Sequence, residues 1–209
     1  MLKHELRNLL SGTGKTKQEN HIQAIAGYLA AGKTAGEKTE IAKLTKQEET
    51  KLITEYVNLH HHWDTRIDES RFIAEGAEQK VYLSKEGNDL IKLNSGVFYY
   101  NWSDYLNSLL IHNFFFPATE YTLSGFLKHE DELYATVQQP YISANEITDL
   151  KNVKAFMESN GFILKKNNDY YSESLGLIAE DLHDENVLTK DGVLFFIDTV
   201  FYITDHFFS

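Results

Sequence analysis

The stretch Asp181-Leu182-His183-Asp184-Glu185-Asn186, with Ile197-Asp198 a short distance downstream, decides how the whole chain is interpreted. Between the two, residues 187–189 and 193–197 are runs rich in β-branched, aliphatic and aromatic side chains, which favour strands. The intervening Asp191-Gly192 is typical of a tight hairpin turn. The sequence therefore predicts a β-hairpin with a polar residue at each end.

This hairpin would place Asn186 and Asp198 side by side at one edge of a small sheet. An amide oxygen and a carboxylate there suit a cation that bridges two phosphates. Asp181 lies five positions before the asparagine, and this spacing is typical of phosphoryl transfer from Mg-ATP, in which the first aspartate orients a hydroxyl nucleophile. The alternative is an ordinary polar turn, with Asp198 capping the segment that follows it.

The composition is that of a folded domain. The chain has 209 residues, of which 42% are hydrophobic and 13% aromatic, enough to build a core. No run approaches the roughly 18 apolar residues of a membrane span, and residues 1–10 are too charged for a signal peptide. We therefore expect a cytoplasmic protein without a membrane partner. The absence of cysteine excludes disulfides and thiolate metal sites.

The net charge of −11 is unevenly distributed along the chain. Residues 1–51 hold 9 Lys and Arg against 6 Asp and Glu, a net +3, so the remaining residues carry −14. An acidic main body argues against a nucleic-acid partner. It also makes a magnesium-bound phosphate a more natural ligand than a free anion, which an acidic surface repels.

Residues 1–68 are predicted to form a helical subdomain of about three helices. Two stretches carry apolar residues at helical spacing: Leu2, Leu6, Leu9 and Leu10, then Ile22, Ile25 and Leu29. The second helix is expected to end at Gly32, in the C-terminal glycine position. The third begins after the capping box Thr45-Lys46-Gln47-Glu48 and runs to about His62.

Two motifs in this subdomain resemble functional sites. Ser11-Gly12-Thr13-Gly14-Lys15-Thr16 looks like a phosphate-binding P-loop, but its first glycine position is Leu9 and a helix is predicted before it instead of a strand. We expect a Gly/Thr turn between helices. His60-His61-His62 offers metal ligands, but consecutive positions on a helix point in different directions, so a solvated helix end is expected.

Residues 72–93 predict three strands, connected by a loop at residues 74–79 and a turn at residues 85–89. Lys92 lies on the third strand between two apolar residues, so its side chain points to the opposite face from theirs. Two interpretations stay open. Either Lys92 lies on a solvent-exposed face, or its ammonium group reaches a phosphate that the upstream loop covers.

The middle of the chain predicts a helix followed by a second strand pair. Asn101 or Ser103 can cap this helix, which is expected to end before Phe114-Phe115-Phe116. We expect the aromatic triplet to belong to the core. Residues 121–127 and 132–137 then form an antiparallel pair.

These residues together resemble the protein-kinase-like superfamily, including its aminoglycoside- and choline-kinase relatives. They are most similar to the kinase-like domains found in polyvalent proteins of phages and mobile elements. The resemblance covers about Phe72 to Tyr202. It implies that Gly76 is the middle glycine of a phosphate-covering loop, that Val81 is the closing valine and that Lys92 is the phosphate-binding lysine.

The resemblance extends to residues 181–198. It implies that Asp181 is the catalytic aspartate, that Asn186 and Asp198 bind Mg²⁺, and that His183 is the histidine of the D-x-H-x-x-N variant used by small-molecule kinases. The nucleotide would contact further residues of the loop and of the adenine-binding hinge, namely Ala77, Glu78, Gln79, Gln139 and Tyr141.

The implied architecture is an α+β, compact protein-kinase-like fold. Its antiparallel-sheet N-lobe would span residues 69–142, and a reduced C-lobe with the catalytic loop and the metal-binding hairpin would span residues 143–209. Few residues follow Asp198, so no activation segment is expected. We expect the N-terminal helices to pack where helices of a larger C-lobe would lie.

The chain also departs from the family pattern. The outer loop glycines are Ala74 and Gln79, and the aspartate at 198 is followed by Thr199-Val200 instead of Phe-Gly. Between Lys92 and Glu120 no glutamate is present to pair with the lysine; either Asp104 or Glu78 substitutes, or the ion pair is absent.

The favoured function is ATP- and Mg²⁺-dependent phosphoryl transfer to a hydroxyl group of a protein or small molecule. The alternative is a pseudokinase, a nucleotide-binding or non-binding interaction module of a mobile-element protein that transfers no phosphate. A third possibility is that the spacing of the four site residues is a coincidence.

Overall fold

The computed structural model describes residues 2–12, 20–34, 44–65 and 67–209. The predicted α+β class is confirmed in that helices are mixed with antiparallel sheets. The helices are α1 (Leu2–Leu10), α2 (His21–Thr34), α3 (Lys46–His60), α4 (Trp102–Phe115) and α5 (Leu150–Ser159). The strands are β1 (Phe72–Glu75), β2 (Gln79–Leu83), β3 (Asp89–Asn94), β4 (Thr122–His129), β5 (Glu132–Pro140), β6 (Ile163–Lys166), β7 (Asp169–Ser172), β8 (Leu177–Glu180), β9 (Val187–Lys190), β10 (Val193–Phe196) and β11 (Val200–Ile203).

The chain divides into two compact units. The sheet unit comprises Asn8–Leu110 and Tyr121–Tyr141, and the hairpin unit comprises Met1–Arg7, Ile111–Glu120 and Ile142–Ser209. No helix in the described part of the chain is long and apolar enough to cross a membrane. Thr13 to Thr16 of the P-loop-like motif lie outside the described residues, as does Arg66.

The sheet unit is built on an antiparallel sheet in the order β1-β2-β3-β5-β4. The predicted strand, loop, strand, turn and strand of residues 72–93 are confirmed as β1, β2 and β3. The β4–β5 hairpin turns at Glu130 and Asp131, which both adopt positive φ (48° and 67°), as a tight hairpin turn requires. Directly opposed residues share a face of the sheet, so Val81, Lys92 and Val137, which follow one another in register, lie on the same face.

The segment after α3 joins the sheet beside β4. The backbone N–H of Phe126 donates to the carbonyl of His62 (3.0 Å), and the N–H of Asp64 donates to the carbonyl of Phe126 (2.7 Å), forming a parallel bridge. Gly125 permits this approach, because a Cβ atom there would overlap the carbonyl oxygen of His62. The chain between α3 and β1 is therefore held to the sheet by backbone hydrogen bonds.

Helices α2 and α3 pack in the sheet unit. The capping box at Thr45 and Glu48 is confirmed, and α3 ends at His60, with His61 in the left-handed conformation (φ 57°). The expectation that Gly32 ends α2 is wrong, since α2 continues to Thr34. Gly32 lies inside the helix, where a Cβ atom would come within 2.9 Å of Cδ1 of the Leu52 side chain on α3.

Helix α3 also anchors the start of α4. The fully buried Glu49 accepts hydrogen bonds from the backbone N–H of Ser103 (2.8 Å) and from its hydroxyl (2.6 Å), and Trp102 Nε1 donates to Thr50 Oγ1 (2.8 Å). Asn101 accepts from the N–H of Asp104 (2.9 Å), which confirms the predicted cap. The expectation that the N-terminal helices replace C-lobe helices is therefore wrong for α2 and α3. Helix α3 contacts the start of α4, α2 contacts β4, and both helices belong to the sheet unit.

The hairpin unit contains a four-stranded antiparallel sheet in the order β11-β8-β7-β6 and the separate hairpin of β9 and β10. Asp149 caps α5, and Gly161 follows the helix at φ +81°. Stacked aromatic rings fill the core, as between Phe116 and Phe196 at 4.1 Å. The predicted core role is confirmed for Phe116, which is buried, whereas Phe114 and Phe115 are half-buried. The end predicted for α4 is wrong by two residues, because Phe114 and Phe115 are helical.

Side chains of α1 hold the last turn of the chain. Lys3 Nζ donates to the carbonyl of His206 (2.6 Å), and the guanidinium of Arg7 donates to the carbonyl of Phe207. The Phe207 side chain is fully buried. The basic residues of α1 thus satisfy carbonyl groups that the short terminal turn leaves without a helical partner.

Candidate functional site

The central aspartate is placed by a strained backbone position. Asp181 directly follows β8 and adopts φ +69°, in the left-handed region that aspartate tolerates better than most residues. Its backbone N–H donates to Asp169 Oδ1 at 3.3 Å. The chain therefore turns sharply at the strand end, and the carboxylate, 58% exposed, is presented to solvent.

Asp181, His183 and Asn186 form a hydrogen-bonded group. Asn186 Nδ2 donates to Asp181 Oδ2 at 2.8 Å and to its carbonyl at 3.0 Å, while His183 Nε2 lies 3.1 Å from Asp181 Oδ1. His183 Nδ1 accepts from the N–H of Glu185 (3.3 Å), so in the neutral ring the proton resides on Nε2 and is donated to Asp181. Both oxygens of the candidate catalytic carboxylate are thus oriented by donors.

The predicted hairpin brings Asn186 next to Asp198. The turn at Asp191 and Gly192 has positive φ at both residues (51° and 73°), and β9 pairs with β10 in register. The N–H of Ile197 donates to the carbonyl of Asn186 at 2.9 Å, which extends the ladder by one residue beyond the strands. Asp198, half-buried, follows immediately.

This pair fits a magnesium ion. Because Asn186 donates to Asp181 through Nδ2, its Oδ1 is directed away from that bond and is the atom that can bind a cation. Magnesium in proteins keeps several waters and uses one or two protein ligands together with substrate phosphates. Among the described residues, no group of three or more His, Cys, Asp or Glu is arranged to hold a metal.

Additional acidic residues surround the aspartate. Burial raises the pKa of the Glu180 carboxyl, and the negative charges of Asp169 and Asp181 raise it further, against the lowering effect of Lys166. Such a concentration of carboxylates favours a cation over a free anion. The site in the hairpin unit is therefore suited to a phosphate that carries its own metal ion.

Lys92 is buried, with only 3% of its surface exposed, so the interpretation that it lies on a solvent-exposed face is wrong. The structure places its Nζ 3.4 Å from the hydroxyl oxygen of Tyr121 and 5.3 Å from the centre of the same ring. Lys92 shares its face of the sheet with Val81 on β2 and Val137 on β5, the residues that it pairs with. The fully buried Gln139 lies two positions after Val137 and therefore on the same face. The pairing of Lys92 with Asp104 or Glu78 stays a prediction.

The loop between β1 and β2 is closed by a backbone hydrogen bond from the N–H of Gly76 to the carbonyl of Gln79 (2.8 Å). The nearest atom to a Cβ atom placed at Gly76 is the backbone oxygen of Gln79, at 3.9 Å. A larger side chain therefore has space here, and the surrounding atoms do not require glycine. A cavity of about 160 Å³ adjoins the loop, and Glu75, Glu78 and Glu132 are among its lining residues. The surroundings of the predicted phosphate loop are thus partly acidic.

At the predicted hinge, the N–H of Tyr141 donates to the carbonyl of Asn88 at 2.9 Å, while its ring is half exposed. Strand β5 continues to Pro140, past Gln138, which is paired with Thr122 at the start of β4. The main chain at Gln139 and Pro140 thus extends past the β4 pairing. The nucleotide contacts of Gln139 and Tyr141 stay predictions.

The structure brings the predicted residues together in two sets. The sheet unit holds Lys92 with Gly76, Ala77, Glu78, Gln79, Val81, Gln139 and Tyr141, and the hairpin unit holds Asp181 with His183, Asn186 and Asp198. Sequence reasoning missed Tyr121, Asp169 and Glu180. The contacts of Tyr121 with Lys92 and of Asp169 with Asp181 join residues distant in sequence and leave no short-range signal, whereas Glu180 directly precedes Asp181.

The histidine run does not form a metal site on its own. His61 is the cap of α3, and the rings of His60 and His62 lie 6.2 Å apart. The ring of His62 instead lies 4.6 Å from that of His21, at the start of α2. His60 and His61 are exposed, as predicted for a solvated helix end, whereas His62 takes part in the contact with the start of α2.

A comparison with protein families supplies one match. The model of a family described as "Serine/Threonine/Tyrosine Kinase found in polyvalent proteins" matches residues 46–205, which is more than half of the chain. The matched region starts at the first residue of α3 and ends in the last turn of the chain. No curated protein matches the sequence.

Proposed function

The chain belongs to the family of serine/threonine/tyrosine kinases found in polyvalent proteins, and on that basis we propose that it transfers a phosphoryl group from ATP to a hydroxyl group. Both the nucleotide and Mg²⁺ are part of the proposal. The acceptor is a hydroxyl of a protein or of a small molecule. The family match supports kinase-like chemistry, and the finer assignments below are supported by the site geometry.

In the proposed reaction Asp181 orients the acceptor hydroxyl and receives its proton as the hydroxyl oxygen bonds to the γ-phosphorus of ATP. The bond between that phosphorus and the β,γ-bridging oxygen breaks, and ADP leaves with the electron pair. His183 and Asn186 keep the carboxylate in place through the hydrogen bonds described above. Asn186 Oδ1 and Asp198 would hold Mg²⁺, which neutralises charge on the phosphates when bound. Each of these residues thus has one role that its geometry supports.

The sheet unit would supply the nucleotide contacts. We assign the ammonium group of Lys92 to the α- and β-phosphates, and the loop from Gly76 to Gln79, together with Val81, to the cover over them. Backbone groups near Gln139 and Tyr141 would contact the adenine. The burial of Lys92, on the same face as Val81, supports this assignment.

The observation that carries the proposal is the bonded group of Asp181, His183 and Asn186 beside Asp198. A protein that only bound nucleotide would need the metal ligands but not an exposed carboxylate held by two donors in a left-handed backbone position. The backbone strain at Asp181 is explained if its carboxylate acts on a substrate.

A second function, nucleotide-dependent or nucleotide-independent interaction without phosphate transfer, is favoured by a different observation. Glu75, Glu78 and Glu132 line the cavity beside the phosphate loop. Carboxylates there oppose the approach of phosphates. A pseudokinase of a mobile-element protein would tolerate that lining, together with the missing outer glycines.

The test is ATP binding by calorimetry with and without Mg²⁺, followed by transfer of label from ATP. We expect Asp198→Asn to lose magnesium-dependent binding, and Asp181→Asn to keep binding but lose about 10²-fold to 10⁴-fold in transfer rate. Asp191→Asn, in the turn of the same hairpin, is the matched control and should behave as the wild type. Wild-type protein that binds no ATP would overturn the proposal. Binding of ATP without any label transfer by the wild type would favour the interaction module, and equal label transfer by wild type and Asp181→Asn would overturn the catalytic role of Asp181.

A further inference from the structure

We infer that Tyr121 is a positioning residue for Lys92, holding the lysine ammonium in the orientation in which it meets the phosphates of a nucleotide. This inference rests on the proposed function, because it concerns the same site. It adds a residue that no motif in the sequence singles out and that contacts the lysine directly.

Strand pairing brings the two side chains together. Lys92 on β3 is opposite Val137 on β5, and Val137 is opposite Leu123 on β4. Tyr121 lies two positions before Leu123, and side chains two positions apart along an extended chain point to the same side. The ring of Tyr121 is thus placed beside the row that contains Lys92, 29 residues away in sequence.

The contact is buried and has two parts. Lys92 is 3% exposed and Tyr121 is 6% exposed. The ammonium donates to the phenolic oxygen at 3.4 Å and lies 5.3 Å from the ring centre, within the range of a cation–π interaction. Because water is largely excluded, both parts are stronger than they would be on the surface.

A tyrosine differs from a carboxylate in what it does to the lysine. The neutral ring adds no negative charge, so it does not cancel the attraction between the ammonium group and a phosphate. Its fixed face restricts the flexible four-carbon stem of the lysine before the ligand arrives. Preorganisation of this kind lowers the entropy lost on binding, so the benefit grows with the number of phosphates that Lys92 contacts.

The experiment measures affinity for adenosine, AMP, ADP and ATP in the presence of Mg²⁺, for the wild type and two variants. Tyr121→Leu removes ring and hydroxyl, and we expect about tenfold weaker binding of ADP and ATP, with adenosine changed less than about twofold. Tyr121→Phe keeps the ring and should stay within about threefold of the wild type for all four ligands.

Tyr99→Phe is the matched control, since Tyr99 is also a buried tyrosine (7% exposed) whose hydroxyl makes a hydrogen bond, at 3.3 Å to Ser108 Oγ. It should leave all four affinities unchanged. If the leucine variant does not fold, Tyr121→Met, with a longer and more flexible side chain of similar volume, takes its place. A merely structural role of Tyr121 would weaken all four ligands alike.

Two results separate this inference from the function on which it rests. If wild-type protein binds ATP with Mg²⁺ but a folded Tyr121→Leu variant loses no affinity, or loses it equally for adenosine and ATP, the positioning role is overturned and the proposed function stands. If the wild type binds none of the four ligands, the proposed function is overturned and the positioning role with it.

Discussion

Replacement of Glu49 should reveal how strongly α3 supports α4. In Glu49→Leu, the N–H and the hydroxyl of Ser103 lose the carboxylate that accepts from both of them, at 2.8 and 2.6 Å. Each buried donor left without a partner costs about 1 to 3 kcal/mol, and the loss of a negative charge at a helix N-terminus adds about 1 kcal/mol. Removing a buried carboxylate returns part of this through its desolvation.

We expect a net loss of about 3 kcal/mol in the free energy of unfolding for Glu49→Leu, which for a chain of this size lowers Tm by about 6 to 12 °C. Glu49→Gln keeps an acceptor for the amide and should lose about 1 kcal/mol. The measurement is urea unfolding followed by circular dichroism, together with hydrogen exchange of the amides of Ser103 and Asp104. These amides should exchange faster in the leucine variant.

Glu55→Leu provides the control, because Glu55 lies on the same helix but is exposed, and its replacement should change stability by less than about 0.5 kcal/mol. The reasoning is refuted if Glu49→Leu is as stable as Glu55→Leu, or if the lost stability leaves exchange at the start of α4 unchanged. Either result would mean that the buried carboxylate does not hold the two helices together.

Three further predictions concern separate parts of the molecule. The pKa of His62 lies below its ordinary value of 6.5, first through burial and then through the charges of His21 and its neighbours. The folded state thus binds this proton less tightly than the unfolded chain, so stability should fall as the pH drops from about 7 to about 5.5, and less so in His21→Gln. Gly125→Ala, which displaces the His62 carbonyl from its hydrogen bond, should cost about 2 kcal/mol or more in urea unfolding. Asp181→Gly should raise the free energy of unfolding by about 1 kcal/mol by relieving backbone strain and charge repulsion, while phosphate transfer is lost.

Each of these has a control and a contrary outcome. His129→Gln, at an exposed histidine, should leave the pH dependence as in the wild type, and equal pH profiles for His21→Gln and wild type would contradict the first prediction. Gly192→Ala is the control for Gly125→Ala, because a Cβ atom at residue 192 meets nothing within 4 Å. Its loss of stability reports the strain of a positive φ alone, without the overlap that occurs at residue 125. An Asp181→Gly variant less stable than the wild type would show that the side-chain hydrogen bonds outweigh the strain.

Features set by neighbouring residues could be predicted from the sequence. The hairpin of β9 and β10 depends on Asp191-Gly192, and the start of α3 depends on Thr45 and Glu48, both within a few positions. Hence the relation of Asn186 to Asp198 was predictable. The energy that specifies these elements is local, so one short stretch contains it.

Features set by packing could not be predicted. Gly32 has the sequence signature of a helix end but lies inside α2, close to Leu52 on another helix. The sequence leaves open whether Lys92 is exposed, and the structure buries it in contact with Tyr121, 29 residues away. Glu49 gives no sign of capping a helix that begins more than 50 residues later. The sequence pattern of a segment indicates its secondary-structure propensity, but it does not indicate which distant segments will pack against it.

The left-handed backbone conformation at Asp181 also affects which residues are expected at this position in related sequences. At φ +69° a glycine is the residue that costs the fold least, whereas phosphate transfer needs a carboxylate. Stability thus favours glycine at this position, and phosphate transfer favours aspartate. Once transfer is no longer under selection, substitutions to glycine that stabilise the fold are expected to accumulate. Among relatives of this chain, those with aspartate at the equivalent position should therefore be active transferases. Those with glycine there should be catalytically inactive.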